Sequence, residues 1–244
     1  MGARGYASLP EKSLFMTTQR ITCIVPTYNE GERILDVLSV LTRISRIDEI
    51  ICVDDGSTDN TKDLVASQFP SVTLIRLQTN KGKSEAVKIG VRRASGDTIL
   101  LFDADIRNLK AAEVGKAIAA WNKLADKTMI VLARIHSPVS SRLLRWPELL
   151  GGERIVRTSD IKAMYETYSV TRFQLEVALN QYFIDRNMVI YDFPFSGLNT
   201  YMLDKHSFLD GLRKYTHMTA EIISAYGFPA YLTQMFFSKR KLLV

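Results

Sequence analysis

Leu100-Leu101-Phe102-Asp103-Ala104-Asp105 is an apolar run that ends in two carboxylates spaced i, i+2. Read as a strand, it puts Asp103 and Asp105 on the same side of the backbone. Carboxylates held that close repel unless a positive charge sits between them, and an oxygen-only donor pair suits Mg2+ or Mn2+. Such an ion seldom fills its shell from protein alone, and substrate phosphates commonly complete it. The stretch therefore reads as the place where a metal holds a diphosphate. Asp-x-Asp is also ordinary chemistry for a solvated turn, so the flanking sequence has to decide.

Arg20 to Val25 is a short β-branched run closed by Pro26 and predicts a buried strand. Pro26-Thr27-Tyr28-Asn29-Glu30-Gly31 follows as a loop, and Ile34, Leu35, Leu38, Leu41 and Ile44 then recur at helical spacing. Glu49 to Val53 predicts a second strand. It runs into Asp54-Asp55-Gly56-Ser57-Thr58-Asp59, a turn before a helix that Ser57 or Thr58 can cap. Val72 to Leu77 reads as a third strand. Asn80-Lys81-Gly82-Lys83 opens a helix, Ser95-Gly96-Asp97 ends it, and Thr98 to Phe102 is the fourth strand. A helix through Val114, Ile118, Trp121 and Leu124 and a strand at Met129 to Leu132 follow. Such alternation implies a mostly parallel sheet flanked by helices, an α/β architecture. Ligands of these sheets bind outside the carboxyl ends of the strands. Those ends are Pro26 to Glu30, Asp54-Asp55-Gly56 and Asp103-Ala104-Asp105, so the three polar loops are expected on one edge.

The bulk numbers agree with a globular chain: 46% hydrophobic and 24% charged residues over 244 positions are enough for a substantial core. A net charge of +6 and a pI near 9.3 favour anionic partners such as nucleotides, phosphates or acidic head groups. The positive residues are spread out, without the aromatic-basic interleaving of an RNA-binding surface, so no nucleic-acid partner is expected. Cys23 and Cys52 sit inside apolar runs and read as buried small hydrophobes in a reducing compartment. No run reaches the ~20 apolar residues of a membrane span. Residues 1–19 lack the apolar core of a signal peptide and are expected to be poorly ordered.

Beyond residue 135 the period is lost. His136 to Gly152 contains Pro138, Pro147, Gly151 and Gly152 among Arg142 and Arg145, and Gly151-Gly152-Glu153-Arg154 reads as a loop that returns to the site. Thr171 to Ile184 is expected to be helical, with Leu175, Ala178, Leu179, Tyr182 and Phe183 on one face and Arg172, Glu176 and Asn180 on the other. Met188 to Phe193 predicts a strand, and the chain beyond Leu203 reads as helical up to Lys239-Arg240-Lys241.

Each motif has a plainer reading beside the functional one. Asp54 and Asp55 suit a ribose hydroxyl or a base N–H, or simply build a turn. Lys81 and Lys83 can meet a phosphate at a helix N-terminus, or be solvated charges. There is no P-loop and no GxGxxG. Glu176 can serve as a general base, or pair with Arg172 on a helix surface. Arg154 can clamp a phosphate, or lie in a solvated loop. His206 and His217 are candidate metal ligands or phosphate contacts. The aromatic and basic tail from Ile222 to Arg240 can rest on an anionic membrane, or pack on the core.

Taken together, Ile24-Val25-Pro26-Thr27-Tyr28-Asn29-Glu30, Val53-Asp54-Asp55-Gly56-Ser57-Thr58-Asp59, Asn80-Lys81-Gly82-Lys83 and Asp103-Ala104-Asp105 resemble glycosyltransferase family 2 in order and spacing. The resemblance covers residues 20–135 and extends through Gly152-Glu153-Arg154 and Phe173-Gln174-Leu175-Glu176. It implies a GT-A fold, a nucleotide-sugar donor with UDP or GDP, and Mg2+ or Mn2+. By the same resemblance Pro26, Tyr28, Glu30 and Asp55 line the nucleoside pocket with Asp54 beside them, and Lys81 lies near the nucleotide. Asp103 and Asp105 hold the metal and the sugar diphosphate, with Ala104 between them at the substrate. In many members the base is an aspartate, often in a Glu-Asp pair; here Glu176 is followed by Val177. The front half also looks like the polyprenyl-phosphate glycosyltransferases. The back half looks like the soluble glucosyl-3-phosphoglycerate synthases, retaining enzymes in which a histidine is a further metal ligand.

The expected organisation is a leader (1–19), a nucleotide-sugar-binding half (20–135), an acceptor-side half (136–203) and a helical C-terminal segment (204–244), with 20–244 one structural domain. The expected activity is metal-dependent transfer of a sugar to a hydroxyl or phosphate acceptor, either a polyprenyl phosphate or a small polar molecule. Asp105 and Glu176 are the catalytic candidates. The expected location is cytoplasmic, with a peripheral place at the inner membrane face as an option. The rival readings are a catalytically inactive nucleotide-sugar-binding protein and a basic membrane-surface module.

Overall fold

The computed structural model describes residues 6–7, 19–124, 128–134, 151–172, 174–199, 224, 227, 229, 233–234 and 240–243. Its elements in chain order are β1 (Tyr6–Ala7), β2 (Ile21–Thr27), α1 (Arg33–Leu41), β3 (Glu49–Asp54), α2 (Thr61–Gln68), β4 (Thr73–Arg76), α3 (Lys83–Arg93), β5 (Thr98–Leu101), β6 (Ile106–Arg107), α4 (Ala111–Trp121), β7 (Thr128–Arg134), β8 (Arg154–Arg157), α5 (Thr158–Thr167), α6 (Leu175–Asp185), β9 (Val189–Phe195), β10 (Leu198–Asn199) and β11 (Arg240–Leu243). The main sheet has nine strands in the order β1-β11-β9-β7-β8-β5-β2-β3-β4. Every pairing in it is parallel except those of β8, which runs antiparallel to both β5 and β7.

The sheet is central because its strands are apolar on both faces, as a parallel sheet covered by helices requires. Cys23, Val25, Cys52 and Leu100 join the cluster that holds Ile34, Val37, Leu38 and Leu41 of α1 and Val114, Ala117 and Ile118 of α4. Ile24, Ile51, Val53, Ile99 and Leu101 join the opposite cluster, with Ala86, Val87 and Val91 of α3, Ile161 and Met164 of α5, and Leu175, Ala178 and Leu179 of α6. Alternation along each strand thus sorts the helices into two outer layers. The four α1 residues are wholly buried, and each such side chain contributes about 1.5–3 kcal/mol from area burial, as an upper estimate.

Three sequence expectations need correction. Pro26 does not close its strand; β2 runs on to Thr27, with Pro26 opposite Val53. Proline is tolerated there because residue 26 faces the β5 side, and the last bond on that side is Phe102 N–H to the Ile24 carbonyl, after β5 has ended. Arg154 is not in a loop: it opens β8, opposite Leu101 and Val131. The basic tail does not end as a helix, since Arg240–Leu243 is a strand beside β9 with Leu243 buried. The leader contributes Tyr6–Ala7 as the edge strand next to it. No helix among the described residues is long and apolar enough to cross a membrane.

Candidate active site

The loops at the carboxyl ends of β2, β3 and β5 meet at one sheet edge, as the strand order predicts. Asn29 adopts a left-handed backbone (φ 53). Its N–H donates to Ser57 Oγ at 3.0 Å, and its Oδ1 accepts from Thr58 N–H at 2.8 Å. Thr61 Oγ1 accepts from the N–H groups of Glu30 and Gly31 at 3.1 and 2.8 Å. These bonds staple the loop after β2 to the turn after β3. The Glu30 carboxylate accepts from Arg33 Nε at 2.7 Å. Pro26 is half-buried, whereas Tyr28 is 42% exposed at this edge.

Asp54 and Asp55 have different tasks. Asp54 is fully buried; its Oδ1 accepts from Ser57 N–H at 2.8 Å and its Oδ2 lies 3.7 Å from Arg76 Nε. It builds the turn. Asp55 uses both oxygens on the next loop, accepting from Lys81 N–H at 2.8 Å and Gly82 N–H at 2.7 Å. What the site fixes of Lys81 is therefore its backbone, while its side chain is exposed. Gly56 (φ +78) lets these loops touch, for a Cβ there would lie 2.8 Å from the carbonyl carbon of Thr79.

The Asp-Ala-Asp stretch lies beyond its strand. β5 ends at Leu101, and Ala104–Asp105 form a turn before β6. Strand alternation therefore does not set the relation of the two carboxylates; the turn does. Ala104 is buried. Asp103 Oδ1 is 2.6 Å from Lys83 Nζ, and the same ammonium is 2.7 Å from Glu176 Oε1. Lys83 thus bridges the Asp103 and Glu176 carboxylates, from residues far apart in the chain. Burial alone would pull the lysine pKa down, but attraction to Asp103 and Glu176, with hydrogen bonds to both, holds it well above the usual lysine value.

Glu176 is not a surface residue. It lies in the first turn of α6, buried with Asn180 and the apolar residues around them. Of the face predicted polar, Glu176 and Asn180 are turned inward where α6 begins against the N-terminus of α3, while Arg172 lies exposed ahead of the helix. Ser84 N–H and Oγ both donate to the Arg172 carbonyl, at 3.1 and 2.7 Å, and Tyr165 Oη donates to the Ser84 carbonyl at 2.8 Å. Gly152 closes the arrangement. A Cβ there would lie 2.4 Å from Asp103 Oδ2 and 2.7 Å from Lys83 Nζ. No local pattern announced Lys83 as a bridge, since Glu176 lies 93 positions away; the one signal was the paired Gly151-Gly152, the mark of a close backbone approach.

Arg154 is displaced from the phosphate role expected of it. It is wholly buried, with Nε donating to the Gly151 carbonyl at 2.9 Å and Nη1 to Asn180 Oδ1 at 2.7 Å. Its task is to hold the Gly151-Gly152 backbone and α6 in place. His206 and His217 lie outside the described residues.

Asp103 and Asp105 offer oxygen donors only, and among the described residues no cluster of three or more His, Cys, Asp or Glu side chains makes a protein-only metal site. That donor set fits an ion that draws the rest of its shell from phosphate and water.

Comparison with known proteins shows the family and the fold. The family model described as "Glycosyl transferase family 2" matches residues 22–205. A dolichyl-phosphate beta-glucosyltransferase of Trichomonas vaginalis is 32% identical over 140 residues, covering 52% of this chain and 42% of that protein. An undecaprenyl-phosphate 4-deoxy-4-formamido-L-arabinose transferase of Serratia proteamaculans is 34% identical over 98 residues, covering 37% of this chain and 30% of that protein. The chain thus spans less than half the length of these curated relatives. Among solved structures, glucosyl-3-phosphoglycerate synthase of Mycobacterium tuberculosis, in complex with Mn2+, UDP-glucose and phosphoglyceric acid, superposes with a TM-score of 0.70 at 17% identity, covering 89% of this chain and 80% of that one. The fold is the GT-A fold.

Proposed function

Because this chain belongs to glycosyltransferase family 2, we propose that it transfers a sugar from a nucleotide-diphosphate sugar to a hydroxyl or phosphate acceptor. The observation that carries this is the convergence, at one sheet edge, of the Asp55-braced loop, the Asp103-Ala104-Asp105 turn and Glu176. Tyr28, Pro26 and Glu30 stand where a nucleoside would lie, with Asp54 and Asp55 shaping that wall and Lys81 at its rim. Asp103 and Asp105 are the residues that would hold Mg2+ or Mn2+. When bound, such an ion neutralises charge building on the departing nucleoside diphosphate.

The protein's own groups do the rest. Lys83, cationic and enclosed, adds positive charge beside Asp103 on the leaving-group side. Glu176 is the carboxylate within reach of an incoming acceptor and accepts its proton if transfer inverts the sugar. Gly152 and the Arg154 bonds behind it keep the acceptor-side backbone pressed on this centre, which limits water.

Two acceptor classes are supported from different sides. The names of the relatives favour a polyprenyl phosphate, and with it a peripheral place on the cytoplasmic membrane face. The solved neighbour was crystallised with phosphoglyceric acid, a small polar acceptor. A nucleotide-release assay with UDP and GDP sugars, run with a short polyprenyl phosphate or with 3-phosphoglycerate, tests the reading. One acceptor should stimulate release, EDTA should abolish it, and Asp105→Ala should lower it by about a hundredfold or more. Absence of acceptor-stimulated release from every donor would overturn it.

A further inference from the structure

Lys83 Nζ lies 2.6 Å from Asp103 Oδ1 and 2.7 Å from Glu176 Oε1, with side-chain exposures of 23%, 18% and 8%. Gly152 is packed against both Asp103 oxygens and the ammonium. Two carboxylates enclosed this way need a counter-charge, and Lys83 supplies it from within the chain. A divalent ion bound to Asp103 needs the same carboxylate and repels the ammonium already seated there.

We infer that Lys83 is a built-in counter-cation, a positioning residue that holds Glu176 against Asp103 in the donor-free protein and competes with the divalent ion for Asp103. The inference rests on the reading of Asp103 as an ion-facing carboxylate. Its consequence is order. Without nucleotide, Lys83 keeps the site weakly attractive to metal and keeps Glu176 engaged. A nucleoside diphosphate brings negative charge of its own, which offers the ammonium another partner. Lys83 then yields Asp103, and Glu176 loses the contact that occupied its Oε1. The acceptor-side carboxylate is thereby released only when donor is present.

The test is Mn2+ binding without nucleotide, read by electron paramagnetic resonance of free Mn2+, on the full chain. Lys83→Met removes the competitor. The double variant Lys83→Met with Glu176→Gln removes one positive and one negative charge, so the net charge of the site stays as in the natural protein. The double variant also spares the fold an uncompensated carboxylate, and it decides the matter if the single variant does not fold. Both should bind Mn2+ at least about tenfold more tightly than the natural protein. Adding UDP should narrow the gap, because nucleotide already displaces Lys83 in the natural protein. Unchanged or weaker Mn2+ binding in the double variant would overturn the inference, and tightening in the single variant alone would assign the effect to net charge. The donor reading is judged separately: tighter Mn2+ binding in the variants with no response of any form to nucleotide would leave Lys83 as counter-cation and remove the nucleotide-sugar.

Discussion

Gly152 is the position where one added methyl group would do most damage. A Cβ would overlap Asp103 and Lys83 at 2.4 and 2.7 Å, and these atoms are held by each other and by Glu176. Gly115 on α4 is the natural contrast, since a Cβ there meets nothing within 4 Å. Gly152→Ala is expected to lower the unfolding free energy read from urea melts by about 1–3 kcal/mol through overpacking and to abolish metal-dependent nucleotide binding. Gly115→Ala should raise stability by about 0.5–1 kcal/mol and leave binding intact. A Gly152→Ala protein that binds nucleotide normally would show that the Gly152 contact is not part of the working site. At this scale the sequence showed which residues gather but not what each does. Asp54 and Asp55 are adjacent in a good turn sequence, yet one caps its own turn and the other holds Lys81 and Gly82. Partners that far along the chain are set by tertiary packing, which no local pattern encodes.

β8 is the element that departs most from expectation. The loss of period after residue 135 hid a strand of four residues, Arg154–Arg157, inserted antiparallel between β5 and β7. A charged residue at each end masked a short apolar centre, Ile155-Val156, which is fully buried. The same strand explains Arg154. Its guanidinium ties β8 to α6 through Asn180, and Asn180 Nδ2 continues to Gln234 Oε1 at 3.4 Å. Arg154→Ala is expected to cost about 3 kcal/mol or more in urea unfolding, because a cavity opens and the Asn180 oxygen loses its charged donor. A variant of normal stability that loses only acceptor affinity would restore the phosphate role.

β6 and β10 form a separate two-stranded ribbon beside the Asp105 turn. Ser196, between β9 and β10, donates from N–H and Oγ to Glu113 on α4, at 2.9 and 2.8 Å. Burial alone would raise the Glu113 pKa, but these bonds and Lys110 hold it below the usual carboxylate value. A depressed carboxylate contributes stability that is present above its unfolded pKa, about 4.3, and is lost as pH falls through the folded value. The stability gap between the natural protein and Glu113→Gln should therefore hold well above about pH 4.3 and shrink as the pH falls through and below it in urea melts. A gap that stays constant across that range would refute the assignment.

For the whole molecule, the front half was legible because a parallel sheet writes itself as alternating apolar strands and helices, and the geometry of an open α/β sheet then places every strand-end loop on one edge. The acceptor side was less legible because its order comes from contacts across the sequence: β8 between two earlier strands, Glu176 turned inward by α3, and Arg240–Leu243 returning to pair with β9. The proposed function requires this one edge to bind a nucleotide-diphosphate sugar with a divalent ion. Thermal unfolding in the presence of UDP, GDP and their sugars, with Mn2+ and then with EDTA, tests it most directly. One nucleotide should stabilise the fold, by about 2.7 kcal/mol at a hundredfold excess over Kd, with the rise lost in EDTA and reduced in Asp105→Ala. A folded protein whose unfolding temperature ignores every nucleotide, with or without metal, would rule out a nucleotide-sugar site at this edge.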